Sequence, residues 1–187
     1  MHIESVVKAA HVFDYLGIFL PGGTDYELGG LFDTAVAASF GGEFADILYT
    51  DVPSSRSNPR ITSRMLDEGR QYPVMDGKAV FKLAVRRLPE VAGETLKQAG
   101  LSKDEIDLYI PHQANLRINQ FFQKAMDLPD EKVFNNIQQY GNTTAATIPI
   151  ALDEAIDKNL VGKGSTVCFL GLGAGVTLGS IIYRFEN

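Results

Sequence analysis

Cysteine is almost missing from this chain: Cys168 is the only one in 187 residues. A single thiol excludes an internal disulfide and fits a reducing compartment, so a cytoplasmic location is expected. Long apolar runs are missing too. No stretch approaches the roughly 20 residues that a membrane-spanning helix needs, and the N-terminus shows no basic-then-apolar signal pattern. Basic charge is not in excess: the formal net charge of −6 argues against a general nucleic-acid binder, while leaving room for a local basic patch. No internal repeat is visible, and no metal site is expected. What remains is ordinary globular material, 45% hydrophobic and 21% charged. The length suits one domain with a proper core and hardly two.

Read in order, residues 3–13 are rich in Val, Ile and Ala and suggest a strand, and residues 15–23 look like a bend out of a sheet. Residues 24–72 are mixed. Within them 32–40 suit a short helix, 44–49 a strand or helical turn, and 54–60 a loop by composition. From Asp76 to Ala99 the residues Val80, Phe81, Leu83, Ala84, Leu88, Val91 and Leu96 form an apolar face at helical period. Pro89 inside that helix is expected to kink it, Gly100 to stop it, and Ser102 with Glu105 to form a capping box. Ile106 to Tyr109 alternates as a half-buried strand does, and Ile118 to Met126 returns to helical spacing. Val133-Phe134 suits a short strand or extended bend, 143–159 another helix ended by Gly162-Lys163-Gly164. Residues 165–170 and 176–185 are the two best strands, joined by a glycine turn as in a hairpin. The alternation argues an α/β fold with a mixed, mostly parallel sheet, flanking helices and a C-terminal antiparallel hairpin.

Two turns carry the candidate chemistry. His112, in Ile110-Pro111-His112-Gln113-Ala114-Asn115, sits where a strand gives way to a helix, a position at which α/β sheets bind ligands. An imidazole there can donate a hydrogen bond or move a proton; a histidine satisfied by buried neighbours fits the same pattern. Asn142, in Tyr140-Gly141-Asn142-Thr143-Thr144, is read as lying on a second strand-to-helix turn. Its amide can serve a ligand or cap the following helix. The Gly173-Ala174-Gly175 turn either brings backbone N–H groups close to a ligand or simply makes a tight hairpin. Cys168 lies in the apolar run Val167-Cys168-Phe169-Leu170, where a thiol is inert.

Pro111-His112-Gln113-Ala114-Asn115-Leu116-Arg117-Ile118 resembles the histidine motif of 3-oxoacyl-(acyl-carrier-protein) synthase III. Gly141-Asn142-Thr143-Thr144-Ala145-Ala146, followed by Ile148-Pro149, resembles that family's asparagine motif, and Gly171-Leu172-Gly173-Ala174-Gly175-Val176 its glycine-rich closing hairpin. The three come in the family's order and spacing. The likeness runs from about Met75 to Phe185, and more weakly over the first twenty residues. It implies the second half of a thiolase-like fold, with 1–187 as one domain and 24–72 as a long insert or excursion.

The implied reaction is a decarboxylating condensation that starts fatty acid chains: an acyl group on a cysteine is attacked by a carbanion released from malonyl-acyl carrier protein. The family's nucleophilic cysteine belongs to its first half, to which nothing here corresponds, so the isolated domain is expected to be inactive. The resemblance gives His112 and Asn142 as donors to the developing oxyanion and the Ala174 amide as part of an oxyanion hole. Phe81 lines an acyl tunnel in that reading and is plain helix core otherwise. Lys82, Arg117 and Lys124 would guide an acidic carrier protein, or else be ordinary solvated side chains; Arg117 and Lys124, seven apart on a helix, share a face. No cofactor is implied, coenzyme A and phosphopantetheine thioesters being substrates. Acyl carrier protein and acyl-coenzyme A are the expected partners, nucleic acid and membrane are not, and the full enzyme would be a homodimer. A related enzyme making polyketide or aromatic products from coenzyme A thioesters, or a non-catalytic subunit binding a carrier protein, stays open.

Overall fold

A computed structural model of the chain describes residues 34–40, 42–55 and 57–185. The strand expected over 3–13 and the bend over 15–23 lie outside the described residues. Among the described residues two sheets are formed. The larger contains β1 (Thr34–Phe40), β4 (Leu108–Pro111), β5 (Thr166–Gly173) and β6 (Thr177–Arg184) in the order β1-β6-β5-β4, and the smaller pairs β2 (Leu48–Tyr49) with β3 (Val74–Met75). The helices are α1 (Ser63–Asp67), α2 (Gly77–Ala99), α3 (Leu116–Ala125), α4 (Ile137–Tyr140) and α5 (Thr147–Asp157).

Alternation along the central strands explains the layering. Leu108, Ile110, Val167 and Phe169 join a cluster with Ile148, Ala151, Leu152 and Ala155 of α5. Tyr109, Cys168 and Leu170 point the other way, into a cluster with Ala84, Leu88 and Val91 of α2 and Ile118 and Phe122 of α3. Helices thus cover both faces of the sheet, which is why Val167 to Leu170 reads as a continuous apolar run. Each buried Leu, Ile or Phe contributes about 1.5–3 kcal/mol, so most of the stability lies in these two clusters.

The elements form for local reasons. Asp76 accepts the N–H groups of Lys78 and Ala79 at 3.1 and 3.0 Å and so caps the start of α2. The helix continues past Pro89 to Gly100, whose φ of 67° is the left-handed cap that glycine adopts without strain. Val80, Ala84, Leu88, Val91 and Leu96 are buried as the periodicity predicts, with Phe81 and Leu83 partly so. The capping box is present: Glu105 accepts from the N–H and the hydroxyl of Ser102, both at 2.8 Å.

Several expectations need correction. The helix suggested for 32–40 is instead strand β1, paired antiparallel with β6 from Thr34↔Tyr183 to Phe40↔Thr177. An open sheet edge supplied by β6 outweighs the weak helix preference of the alanines. The stretch 24–72 is therefore not wholly an excursion, because β1 belongs to the main sheet. The sheet is mixed and ends in the expected hairpin, yet among the described strands only the β4–β5 ladder is parallel, while β5–β6 and β1–β6 are antiparallel. A single parallel bridge, Tyr109↔Val133, extends the β4 edge, so Val133 is an extended bend with minimal strand character. Helix α5 begins at Thr147, after a 3₁₀ turn over Thr144–Ala146, and ends at Asp157.

Candidate active site

The carboxyl end of β4 delivers His112. Its backbone N–H donates to the Leu170 carbonyl at 2.7 Å, continuing the parallel ladder by one residue and fixing where the side chain departs. The ring is partly buried, and His112 Nδ1 lies 2.5 Å from Thr147 Oγ1 at the start of α5. Desolvation pushes the imidazole pKa down to about 4, so the ring is neutral near pH 7.

Asn142 arrives by a different route from the one expected. It follows α4 and precedes the 3₁₀ turn Thr144–Ala146, so no strand ends at it. The reason lies upstream: after the bridge at Val133 the chain leaves the sheet and coils into α4. Gly141, with φ 69° and ψ −163°, then makes a reversal that a side chain would oppose. Asn142 Oδ1 accepts the Thr144 N–H at 2.9 Å, an Asx turn. Asn142 does not cap the following helix, since the N-cap residues of the 3₁₀ turn and of α5 are Thr143 and Ala146. The oxygen holds the backbone, and among the described residues no acceptor is recorded for the Nδ2 hydrogens.

A cavity of about 570 Å³, mostly apolar, opens between these turns and the closing hairpin. His112, Asn142, Thr147, Phe81, Gly173 and Ala174 all line it. Phe81 meets Phe121 of α3 edge-on at 5.4 Å, and Val80 and Phe81 of α2 line the cavity together with Ile118 of α3. Ala174 opens a one-turn 3₁₀ segment, Ala174–Val176, between the paired residues Gly173 and Thr177. Gly173 is extended at φ −127°, and a Cβ there would meet only ordinary contacts, at 3.8 Å from Thr177 O. Neither the backbone nor crowding among the described residues therefore demands glycine at 173.

The basic residues do not line the cavity. Lys82 is exposed on α2 next to Phe81, and Arg117 and Lys124 are exposed on α3. Cys168 is fully buried, with Sγ 3.5 Å from Ser180 Oγ, and burial pushes its thiol up to about 12. It is no nucleophile. Among the described residues no cluster of three His, Cys, Asp or Glu side chains is arranged to hold a metal ion, and no helix is long and apolar enough to cross a membrane.

Sequence reasoning overlooked two residues. Thr147, immediately after the asparagine motif, touches the His112 ring. Gln113 is buried and ties the His112 turn to the start of α4 through Pro111 O, Phe134 O and the N–H groups of Asn136 and Ile137. A polar residue beside a catalytic candidate in a β-to-α turn was the available signal for Gln113. Thr147 had none, since its partner lies 35 positions away.

Comparison with known proteins adds a family. Residues 96–185 match the 3-oxoacyl-[acyl-carrier-protein (ACP)] synthase III C-terminal family. A β-ketoacyl-[acyl-carrier-protein] synthase III of Roseiflexus castenholzii is 41% identical over 145 residues, 78% of this chain and 43% of that protein. The crystal structure of 3-oxoacyl-[acyl-carrier-protein] synthase III from Aquifex aeolicus superposes with a TM-score of 0.70 at 38% identity, over 81% of this chain and 44% of that one. The synthase III structure from Thermus thermophilus gives 0.72 at 33% identity, over 88% and 49%. The chain thus spans less than half the length of each of these relatives.

Proposed function

Because the chain belongs, through its C-terminal region, to the 3-oxoacyl-[acyl-carrier-protein] synthase III family, we propose that it forms the second half of an enzyme condensing an acyl thioester with malonyl-acyl carrier protein. The nucleophilic cysteine is contributed by the other half. The acyl group leaves its thioester sulfur for that cysteine. Malonyl then loses carbon dioxide, the C–C bonding pair moves into an enolate, and the enolate carbon attacks the acyl carbonyl and expels the cysteine thiolate.

One observation carries this reading: His112 and Asn142 line the same cavity, and each has one polar atom committed to the protein and one left over. The leftover atoms are a ring nitrogen and an amide nitrogen. Both can donate to an oxygen that gains charge, and neither must lose a proton to do so. A neutral imidazole suits this role better than an imidazolium, which would also hold the ground-state carboxylate that has to leave. The Ala174 N–H, on the hairpin side of the cavity, is assigned to the oxyanion of acyl transfer. Phe81 borders the path of the acyl chain. Lys82, Arg117 and Lys124, on the helices that carry Phe81 and Phe121, receive the acidic carrier.

The test separates the half-reactions in the complete enzyme. His112→Ala and Asn142→Ala are each expected to lower malonyl decarboxylation by a hundredfold or more, about 3 kcal/mol in barrier, while radiolabelled acyl transfer to the cysteine survives. Variants that lose acyl transfer but keep carbon dioxide release would overturn the assignment. The 187-residue chain alone is expected to show no condensation. Turnover by it that persists in Cys168→Ser would defeat the half-enzyme reading.

A further inference from the structure

The contact between His112 and Thr147 contains more than a distance. Thr147 is the first residue of α5 and is 2% exposed, and its backbone N–H already serves the Thr144 carbonyl. Two proton arrangements fit a 2.5 Å separation of Nδ1 and Oγ1. If Nδ1–H donates to the hydroxyl oxygen, the hydroxyl proton must find another acceptor. Among the described residues none is recorded for Thr147 Oγ1 apart from His112. If the hydroxyl donates to Nδ1, its single proton is used, the lone pair of Nδ1 is satisfied, and the ring carries its own proton on Nε2. The first arrangement leaves the hydroxyl proton with no acceptor among the described residues, whereas the second uses every proton of the pair.

We infer that Thr147 is a positioning residue that fixes neutral His112 as the Nε2–H tautomer, so that the ring presents a donor and not a lone pair to the cavity. Geometry reinforces the choice. The backbone N–H of His112 is held by Leu170 O at 2.7 Å, which fixes where the side chain leaves the strand, and Thr147 Oγ1 holds Nδ1, so Nε2 is the ring nitrogen left over. Desolvation keeps the ring neutral, so the tautomer is what decides its chemistry. The segment from Asn142 to Thr147 thereby acts on both donors: it supplies one and sets the protonation site of the other. The tautomer follows from the local hydrogen bonding alone; its effect on rate rests on the condensing reading above.

The experiment is two-bond ¹H–¹⁵N correlation spectroscopy of the complete enzyme labelled at histidine, at pH 7, with His112 identified by its loss in His112→Gln. The expected pattern is Nε2–H in the wild type and in Thr147→Ser. In Thr147→Val, where a methyl replaces the hydroxyl, His112 should give a tautomer mixture or Nδ1–H. Malonyl decarboxylation should fall at least about tenfold in Thr147→Val and stay within about threefold of wild type in Thr147→Ser, with acyl transfer to the cysteine unchanged in both. A wild-type ring that is Nδ1–H, or a valine variant whose tautomer is unaltered, overturns the inference. If the valine variant does not fold, the wild-type spectrum still decides, since Nδ1–H there is fatal. If the tautomers behave as expected but no form decarboxylates malonyl thioesters, the assignment of Thr147 stands and the condensing function falls.

Discussion

Gln113 Oε1 accepts the backbone N–H of Asn136 at 3.1 Å and that of Ile137 at 3.2 Å, while Gln113 Nε2 donates to Pro111 O at 2.7 Å. One buried side chain thus joins the turn that bears His112 to the segment entering α4 and Asn142. Gln113→Leu keeps the volume but removes the acceptor of two backbone N–H groups and the donor to two carbonyls, Pro111 O and Phe134 O. The loss is expected to be about 2–4 kcal/mol in a denaturant melt, because each stranded buried group costs about 1–3 kcal/mol and the pairs share one network. Gln113→Glu should not rescue it, since a carboxylate cannot donate to Pro111 O. A glutamate variant as stable as wild type would show that the clamp is not what holds the two turns together.

Protonation of His112 should destabilise the fold. Its pKa falls from 6.5 to about 4 on folding through desolvation. Unfolded chains therefore bind a proton that the native ring refuses between those values. The stabilising contribution is complete above pH 6.5 and is lost as pH falls to about 4. Unfolding free energy should drop more steeply over that window in the wild type than in His112→Gln, by no more than about 3 kcal/mol. Parallel pH profiles would mean that the ring is solvated.

Charge reversal on α3 should act on the carrier and not on the chemistry. Arg117→Glu, with Lys124→Glu, is expected to raise KM for carrier-bound malonyl about tenfold or more, with an effect that shrinks as salt rises. Turnover of small coenzyme A thioesters in the acyl-transfer step should be unchanged. Equal losses with both substrate types would move these side chains from docking to structure.

The single thiol of this chain should be silent. Cys168 is inaccessible and its thiol is pushed up to about 12, so a disulfide-exchange reagent should label the native 187-residue chain only as it unfolds. Stoichiometric labelling within seconds under native conditions would contradict the burial of β5.

The sequence by itself determined the parts whose signals are local. The period of Val80 to Leu96, the Asp76 and Gly100 caps, the Ser102–Glu105 box and the apolar strands at 166–173 and 177–184 are all encoded within a few residues of where they act. The motifs around His112 and Asn142 could be read locally for the same reason, but only the fold brings the two residues to one cavity. Tertiary structure decided what depends on partners distant in sequence. Thr34–Phe40 is a strand because the edge of β6 was free to pair with it, and its own alanines could not say so. Asn142 follows a helix because the chain leaves the sheet after a single bridge at Val133. Thr147 meets His112, and Gln113 meets Asn136, because β4, α4 and α5 are packed at one end of the sheet. Hydrogen bonds across 35 and 23 positions have no periodicity to announce them.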